Sequence, residues 1–460
     1  MQAAPTAPAR SAPSLTSSST PSPPAPRTVP APSRPAAPTP SRAPSATPAS
    51  PPPRAGAGPH AALRTLVHTL AAGAADPADP HCAAHLHCPP LALATAADLA
   101  AGALNPSMDS WDQAPAASEL EVLTARALAG LVYPAATAPD ALVTTGGTES
   151  NQLAVLLARE APRPPHPTGP LRIVCGANAH HSIHRAAWLL GLPEPVTLPT
   201  PDGTLDPATV HTCLAELTGR TGPILLTATA GTTDAGTIDP LPALADLADQ
   251  HGARFHVDAS YGGPLLFSDT HRTALTGLTR AHTVTLDLHK LGWQPVAAGL
   301  LAVPAPATLT PLAHQADYLN ADDDTEAGLP DLLGRSLRTT RRPDILKIAV
   351  TLKALGRQGL GDLVDRTLAA ARTFADLVDA HPRYELHSQP TLTTVLFRPI
   401  GADDTALAAI RRSLLIEGHA VLGRATTPTG LWLKATLLNP HTQPGDLTHL
   451  LKLVEGHTPR

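Results

Sequence analysis

From about residue 120 to residue 303 the apolar positions switch repeatedly between two periods. Leu120 to Leu131 has helical spacing, with apolar side chains three and four apart, and Glu149 to Arg159 predicts a helix opened by Gly146-Gly147-Thr148. Arg172 to Cys175 and Pro223 to Thr227 predict short buried strands. Leu241 to His251 returns to helical spacing. Arg254 to Val257, Thr283 to Leu286 and Gly299 to Val303 predict further strands. Alternation of this kind means a mostly parallel sheet covered by helices, with ligands at the carboxyl ends of the strands.

The pattern then changes. Residues 305 to 340 are polar and irregular, with Asp322-Asp-Asp and Gly328. Ile345 to Leu355 and Leu360 to Val378 predict helices. Tyr384 to Leu450 alternates again, with strand-like Thr393 to Phe397 and Leu431 to Leu437, which predicts a smaller C-terminal α+β domain. The expected boundaries are a tail over 1–59, an N-terminal helical segment over 60–119 and a large α/β domain over 120–310. A loop and connector over 311–343 and a small domain over 344–460 complete the chain. No internal repeat interrupts this order.

Composition changes the picture mainly at the start. The first 59 residues are Pro, Ala, Ser and Thr with scattered Arg, and no acidic residue precedes Asp76. Such a stretch buries too little apolar surface to offset its chain entropy, so it reads as a disordered or polyproline-like tail. The net charge of −5 gives no global pull toward nucleic acid or anionic membrane. No apolar run approaches the roughly 18 residues of a membrane span, and the start lacks the apolar stretch of a secretory signal. Four scattered cysteines without a C-x-x-C do not make a disulfide framework, so a reduced, cytoplasmic protein is expected.

Four ordered runs carry the chemistry. In Thr144-Thr-Gly-Gly-Thr-Glu-Ser-Asn, Gly147 and Thr148 precede a helix, where free N–H groups and the positive helix end suit a phosphate. A plain N-cap explains the same residues. In Ala179-His-His-Ser-Ile-His-Arg-Ala, His180 and His181 follow a strand, and a flat imidazole can stack on a pyridine ring or handle a proton. Two surface histidines would read the same way. In His256-Val-Asp-Ala-Ser-Tyr-Gly-Gly, Asp258 ends a strand, where a buried carboxylate needs a cationic partner. A helix cap or structural ion pair is the alternative for Asp258. In Thr283-Val-Thr-Leu-Asp-Leu-His-Lys-Leu-Gly-Trp, a strand delivers His289 and Lys290, and a lysine so placed can hold an aldehyde cofactor as a Schiff base. Thr232, just past another strand, either lines the same pocket or caps its own loop. His81, Cys82, His85, His87 and Cys88 are zinc-type ligands, but their spacing fits no standard finger, and no metal is expected.

Taken in order, the four runs read as a pyridoxal phosphate site, and from about residue 80 to 455 the chain resembles the group II pyridoxal-phosphate-dependent amino-acid decarboxylases. It is most similar to the bacterial siderophore-type lysine and 2,4-diaminobutyrate enzymes, through His85-Leu-His-Cys-Pro, Ser110-Trp-Asp-Gln and Ala316-Asp-Tyr-Leu-Asn. Ser336-Leu-Arg-Thr-Thr-Arg-Arg, followed by Leu346-Lys, adds to that similarity. The resemblance implies an aspartate-aminotransferase-like fold of type I and a homodimer, with 60–119 in dimerisation and 311–343 as a mobile loop. It implies that Lys290 binds the cofactor covalently, His180 stacks on its ring and Asp258 pairs with its pyridine nitrogen. Gly147, Thr148 and His289 would hold the phosphate, and Thr232 would sit beside the ring. The implied reaction turns an L-amino acid into an amine and CO2.

Three departures from the family pattern bear on function. Residues 319 to 340 contain no tyrosine to give a proton to Cα, Leu332 stands at that place, and His180 is the fallback donor. His87 stands where the family has asparagine. The Pro-rich tail replaces most of the N-terminal helical flap. Asp109, Trp111 and His87 are the candidate substrate contacts, and by resemblance the Asp109–Trp111 segment reaches the pocket, from either subunit. An acid at 109 suits a substrate with a side-chain amine, so lysine, ornithine or 2,4-diaminobutyrate is expected. Helix capping is the other use of both Asp109 and Asp112. The alternative functions are an aromatic amino-acid decarboxylase and another fold-type-I lyase or aldehyde synthase.

Overall fold

The computed structural model describes residues 55–162, 169–313, 322–329 and 331–458. Most of the Pro-rich tail and the run Ala316-Asp-Tyr-Leu-Asn lie outside the described residues.

Among the described residues twelve strands are numbered in chain order, and seven of them build the central sheet. These are β2 (Asp140–Thr144), β3 (Arg172–Gly176), β4 (Val196–Leu198), β5 (Ile224–Thr229), β6 (Arg254–Ala259), β7 (Thr283–Asp287) and β8 (Gly299–Val303), in the order β2-β8-β7-β6-β5-β3-β4. The β4-β3-β5-β6-β7 block is parallel, and β8 runs antiparallel to both β7 and β2. Every residue of β2, β5, β7 and β8 is buried, as expected where helices cover both faces. Helices Gly147–Glu160 and Leu241–Gln250 occupy the predicted places, and Leu120–Leu131 lies inside a longer helix, Pro115–Val132. This is the expected α/β architecture.

β2 escaped the sequence reading because it opens on a charge. Asp140 is fully buried and accepts from both guanidinium nitrogens of Arg335 at 2.7 and 2.8 Å. A bidentate pair of this kind lets a carboxylate sit in a sheet interior. The Arg335 guanidinium, against burial, holds the Asp140 carboxyl below the usual range.

The second sheet is β1-β11-β12-β10-β9, from β1 (Cys82–Ala83), β9 (Tyr384–Leu386), β10 (Thr394–Pro399), β11 (Val421–Thr427) and β12 (Gly430–Thr436). It packs its own core, including Phe374, Phe397, Leu407 and Leu433. β1 pairs in parallel with β11, so a piece of the N-terminal segment belongs to the C-terminal sheet. The two helices expected over 345–378 are present within Ile345–Asp379, separated by a kink at Gly356, whose φ of 63° and ψ of −176° only glycine adopts without strain. Among the described residues no helix is long and apolar enough to cross a membrane.

Candidate active site

The sheet fixes where the chemistry can gather. β2, β5, β6 and β7 point their carboxyl ends to one edge of the sheet, and the loops leaving them line a cavity of about 320 Å3. It is lined by Gly146, Gly147, Thr148, His180, Asp258 and Lys290, with Asp287, His289 and Ser260 beside them. The four motifs, far apart in sequence, therefore meet in one place.

Glycine is required at the β2 exit. A Cβ on Gly146 would stand 3.0 Å from His289 Cε1, and one on Gly147 would stand 2.3 Å from Ser260 Oγ. The backbone there is free to approach a ligand closely, at the start of the helix Gly147–Glu160, where N–H groups lack carbonyl partners four residues back.

Asp258, near the end of β6, is anchored at both oxygens. Oδ2 accepts from Asn151 Nδ2 at 2.7 Å, and Oδ1 accepts from Ser260 Oγ at 2.6 Å and Ser260 N at 3.0 Å. Burial by itself would raise the Asp258 carboxyl, but the charge of Lys290 and the Ser260 and Asn151 donors outweigh it and hold it below the usual range. The result is a fixed anion aimed into the cavity.

Lys290 Nζ lies 2.9 Å from Asp287 Oδ2, and His289 Nε2 lies 3.6 Å from the same oxygen. Asp287 is only 2% exposed, and its Oδ1 has no partner among the described residues. The Ala298 amide donates to His289 Nδ1 at 3.3 Å, which leaves the proton of the neutral ring on Nε2, facing the cavity side. Burial pushes the His289 imidazole down, with Asp287 opposing, so the neutral ring is the favoured form.

His180 Nδ1 lies 2.8 Å from Ser182 Oγ. Burial lowers its imidazole too, against the pull of Asp258. Behind Asp258, fully buried His256 is pushed down to about 4 by burial.

Six of the expected residues are thus brought together: Gly147, Thr148, His180, Asp258, His289 and Lys290. Thr232 does not line the cavity. Its hydroxyl lies 2.7 Å from Thr237 Oγ1 and accepts from Thr237 N at 3.1 Å, closing the loop whose Gly231 and Thr233 face the cavity instead. His87 is exposed, and Leu86 lines the cavity next to it. Asp109 and Trp111 lie outside the cavity lining of their own chain, and each has a buried polar atom, Oδ1 and Nε1, without a partner among the described residues. Leu332 is buried against Met108 and Ala114. In the cluster of possible zinc ligands, His81 pairs with Asp79 at 3.4 Å and Cys88 Sγ donates to the His289 carbonyl at 3.2 Å.

Sequence reasoning missed Asp287, Asn151, Ser182 and Ser260. Asp287 left a signal, being the lone charge in its strand, three residues before Lys290. The other three are small polar residues next to motif positions, and only their contacts single them out.

Comparison with known proteins agrees with this geometry. The family described as "Pyridoxal-dependent decarboxylase conserved domain" matches residues 61–400. The chain is 40% identical over 390 residues to the L-2,4-diaminobutyrate decarboxylase of Rhizobium meliloti (strain 1021), covering 83% of this chain and 78% of that protein. It is 32% identical over 412 residues to the enzyme of the same name from Acinetobacter baumannii, covering 83% of this chain and 80% of the relative. The glutamate decarboxylase domain of the diaminobutyrate-pyruvate transaminase and L-2,4-diaminobutyrate decarboxylase from Vibrio parahaemolyticus superposes with a TM-score of 0.79 at 32% identity, covering 92% of this chain and 90% of that one. With its lysine, aspartate, histidine and glycine cradle in one cavity, the chain belongs to the pyridoxal-dependent decarboxylase family and is a pyridoxal-phosphate-dependent amino-acid decarboxylase.

Proposed function

We propose that this enzyme removes the α-carboxylate of an L-amino acid whose side chain ends in an amine, 2,4-diaminobutyrate, ornithine or lysine, and releases a diamine and CO2. The observation that carries the substrate class is the buried Asp109 Oδ1, an acceptor without a partner among the described residues. A buried carboxylate oxygen of that kind is an unmet demand for a cationic donor. The two relatives named as L-2,4-diaminobutyrate decarboxylases support the same class.

The residues present fit pyridoxal phosphate. Gly146 and Gly147 bring the backbone so close to His289 and Ser260 that a Cβ would collide with them, which leaves the helix-start N–H groups bare toward the cavity, and Asp258 is a fixed buried anion with nothing but neutral donors on its oxygens. Lys290 would supply the amine that anchors the aldehyde, and Asp258 would face the pyridine nitrogen. Gly147, Thr148 and His289 Nε2–H would hold the phosphate. When bound, the cofactor supplies an electron sink for the pair left behind as the Cα–carboxylate bond breaks.

The chain's own groups do the rest. Asp258 keeps a negative charge where a cation must be held. Asp287 holds the Lys290 amine at 2.9 Å whenever it is free, so the amine stays beside its reaction partner. His180 would present its flat face to the ring.

A cytoplasmic homodimer accompanies this reading. All four cysteines are free, and Leu63, Leu66 and Leu70 lie exposed on the helix Pro59–Gly73, as on a helix that packs against a second copy.

The test is mass-spectrometric product analysis of cofactor-loaded protein given a panel of amino acids, with Lys290→Ala as control. A diamine formed by the wild type and not by the control is the expected outcome. An aromatic amine would keep the enzyme class and overturn the substrate class. An aldehyde with oxygen uptake would move the enzyme to the aldehyde synthases.

A further inference from the structure

The polar atoms behind the cavity form one chain of hydrogen bonds whose direction can be read. It starts at Asp258, held as an anion and therefore only an acceptor. The Asn151 atom at 2.7 Å from Asp258 Oδ2 must be the amide nitrogen. That nitrogen has two protons. One goes to Asp258, and the other goes to Ser182 Oγ at 2.8 Å. The Asn151 carbonyl oxygen then faces two donors, Thr285 Oγ1 at 2.8 Å and His256 Nε2 at 3.1 Å. Asn151, Ser182, His256 and Thr285 are each fully buried, so this pattern has no water to relax into.

Ser182 passes the direction on. Its oxygen already accepts from Asn151, and its own proton is free to point at His180 Nδ1, 2.8 Å away. The backbone N–H of Ser182 also donates to His180 Nδ1, at 3.3 Å. Two donors converge on one ring nitrogen. A proton on Nδ1 would face both of them, so the ring keeps its proton on Nε2.

We propose that Asn151 and Ser182 are positioning residues that hold His180 as a neutral imidazole with its proton on Nε2, so that the ring serves as an uncharged face and a donor at Nε2 and is not the source of the proton delivered to Cα. Giving up a proton efficiently requires the imidazolium, which the two converging donors exclude. An imidazole that gave up its single Nε2 proton would become an anion beside Asp258. The charged and titratable groups around His180 are Asp258, Asp287, His181 and Lys290. The two carboxylates favour an imidazolium, and His181 and Lys290 oppose it. Burial is the largest influence and holds the ring toward the neutral form, and the two Ser182 donors at Nδ1 act in the same direction. The inference rests on the reading of His180 as the residue on the cofactor face.

The experiment locates the protons directly and then removes the lock. Histidine-selective 15N NMR on wild-type protein, with and without cofactor, using His180→Gln for assignment, should show Nδ1 bare and Nε2 protonated near neutral pH. A doubly protonated His180 overturns the proposal. Ser182→Ala should move the acid limb of kcat/KM to higher pH, because the neutral ring has lost a stabilising donor. It should lower kcat at neutral pH roughly tenfold, the value of one lost hydrogen bond. Ser182→Thr keeps the hydroxyl and should restore both. An acid limb that stays in place in Ser182→Ala, with only thermal stability reduced, gives Ser182 a merely structural role and overturns the proposal. His180→Phe separates the two readings. Unchanged cofactor affinity and kcat in that variant would remove His180 from the cofactor face, while the tautomer measured without cofactor would still report on the lock itself.

Discussion

Asp258 sits at a strand end with both carboxylate oxygens bonded, to Asn151 and Ser260, whereas Asp109 sits in a loop with a buried oxygen that meets no partner among the described residues. Around Asp258 the neighbours are bonded in turn, out to Thr285 and His256. Around Asp109 the gaps accumulate: Ser107 Oγ and Trp111 Nε1 are also buried and unmatched among the described residues. The difference separates two kinds of site. The Asp258 network is closed within one chain, and in the β6–β7 region the buried atom left over is Oδ1 of Asp287, the carboxylate beside Lys290, which has no partner among the described residues. The 107–111 segment gathers three unmatched atoms among the described residues, an arrangement that a substrate amine or a second subunit would complete. Three such atoms within five residues carry weight, because in proteins buried polar atoms are as a rule matched and an unmatched one costs about 1–3 kcal/mol.

The hardest test of that contrast removes the charge at the finished site. Asp258→Asn keeps the shape and removes the anion. We expect kcat/KM to fall on the order of 10³-fold, the scale seen when a preorganised electrostatic partner of a developing charge is lost. Steady-state kinetics with cofactor in excess reads this. Activity within tenfold of wild type would mean that the carboxylate is there for packing, and the two regions would no longer differ in kind.

How much of this was legible in the sequence follows the same divide. Lys290, Asp258 and the Gly146-Gly147-Thr148 turn announce themselves because each sits where a strand period breaks, and a parallel sheet gathers all such breaks at one edge. Asn151 and Ser182 carry no such mark. Their role depends on the angle at which helix Gly147–Glu160 crosses the strands, and side-chain periodicity holds no information about that angle. β2 was hidden by Asp140, since one charge inside a five-residue strand breaks the apolar pattern unless Arg335, far along the chain, is known to answer it. The parallel pairing of β1 with β11 was hidden for another reason: two residues are too few for any period. Thr232 was misplaced because neighbouring residues in a tight loop point opposite ways, and Gly231 and Thr233 took the cavity side.

A second test asks whether the unfinished segment is loose or held. Its backbone is held: Met108 N donates to the Arg341 carbonyl at 2.9 Å, and the Arg341 guanidinium makes two bonds of 3.0 Å to Glu121, both residues nearly fully buried. Arg341→Ala leaves the Glu121 carboxylate buried without its partner and should cost about 3 kcal/mol of stability, read by urea denaturation. A Glu121→Leu, Arg341→Met double variant should recover most of that loss, since it leaves no buried charge behind. A single variant as stable as wild type would show that the segment is not anchored there, and its unmatched atoms would then reflect a frame free to shift.

The smallest expected effect is the one that decides what the segment is for. Asp109→Asn keeps an oxygen acceptor and removes the charge. If the buried Oδ1 waits for a side-chain ammonium, the variant should raise KM for 2,4-diaminobutyrate or lysine about tenfold, which is ~1.4 kcal/mol, and leave kcat nearly unchanged. The split matters, because an interaction with the distal amine is made equally before and during bond breaking and so belongs to binding alone. The KM for an aromatic amino acid, which has no distal cation, should stay where it is. Equal effects on both substrate classes would mean that Asp109 supports the shape of the loop, beside the 2.6 Å bond from Ser110 Oγ to Asp112 Oδ1, and the substrate class would have to be sought elsewhere in the cavity wall.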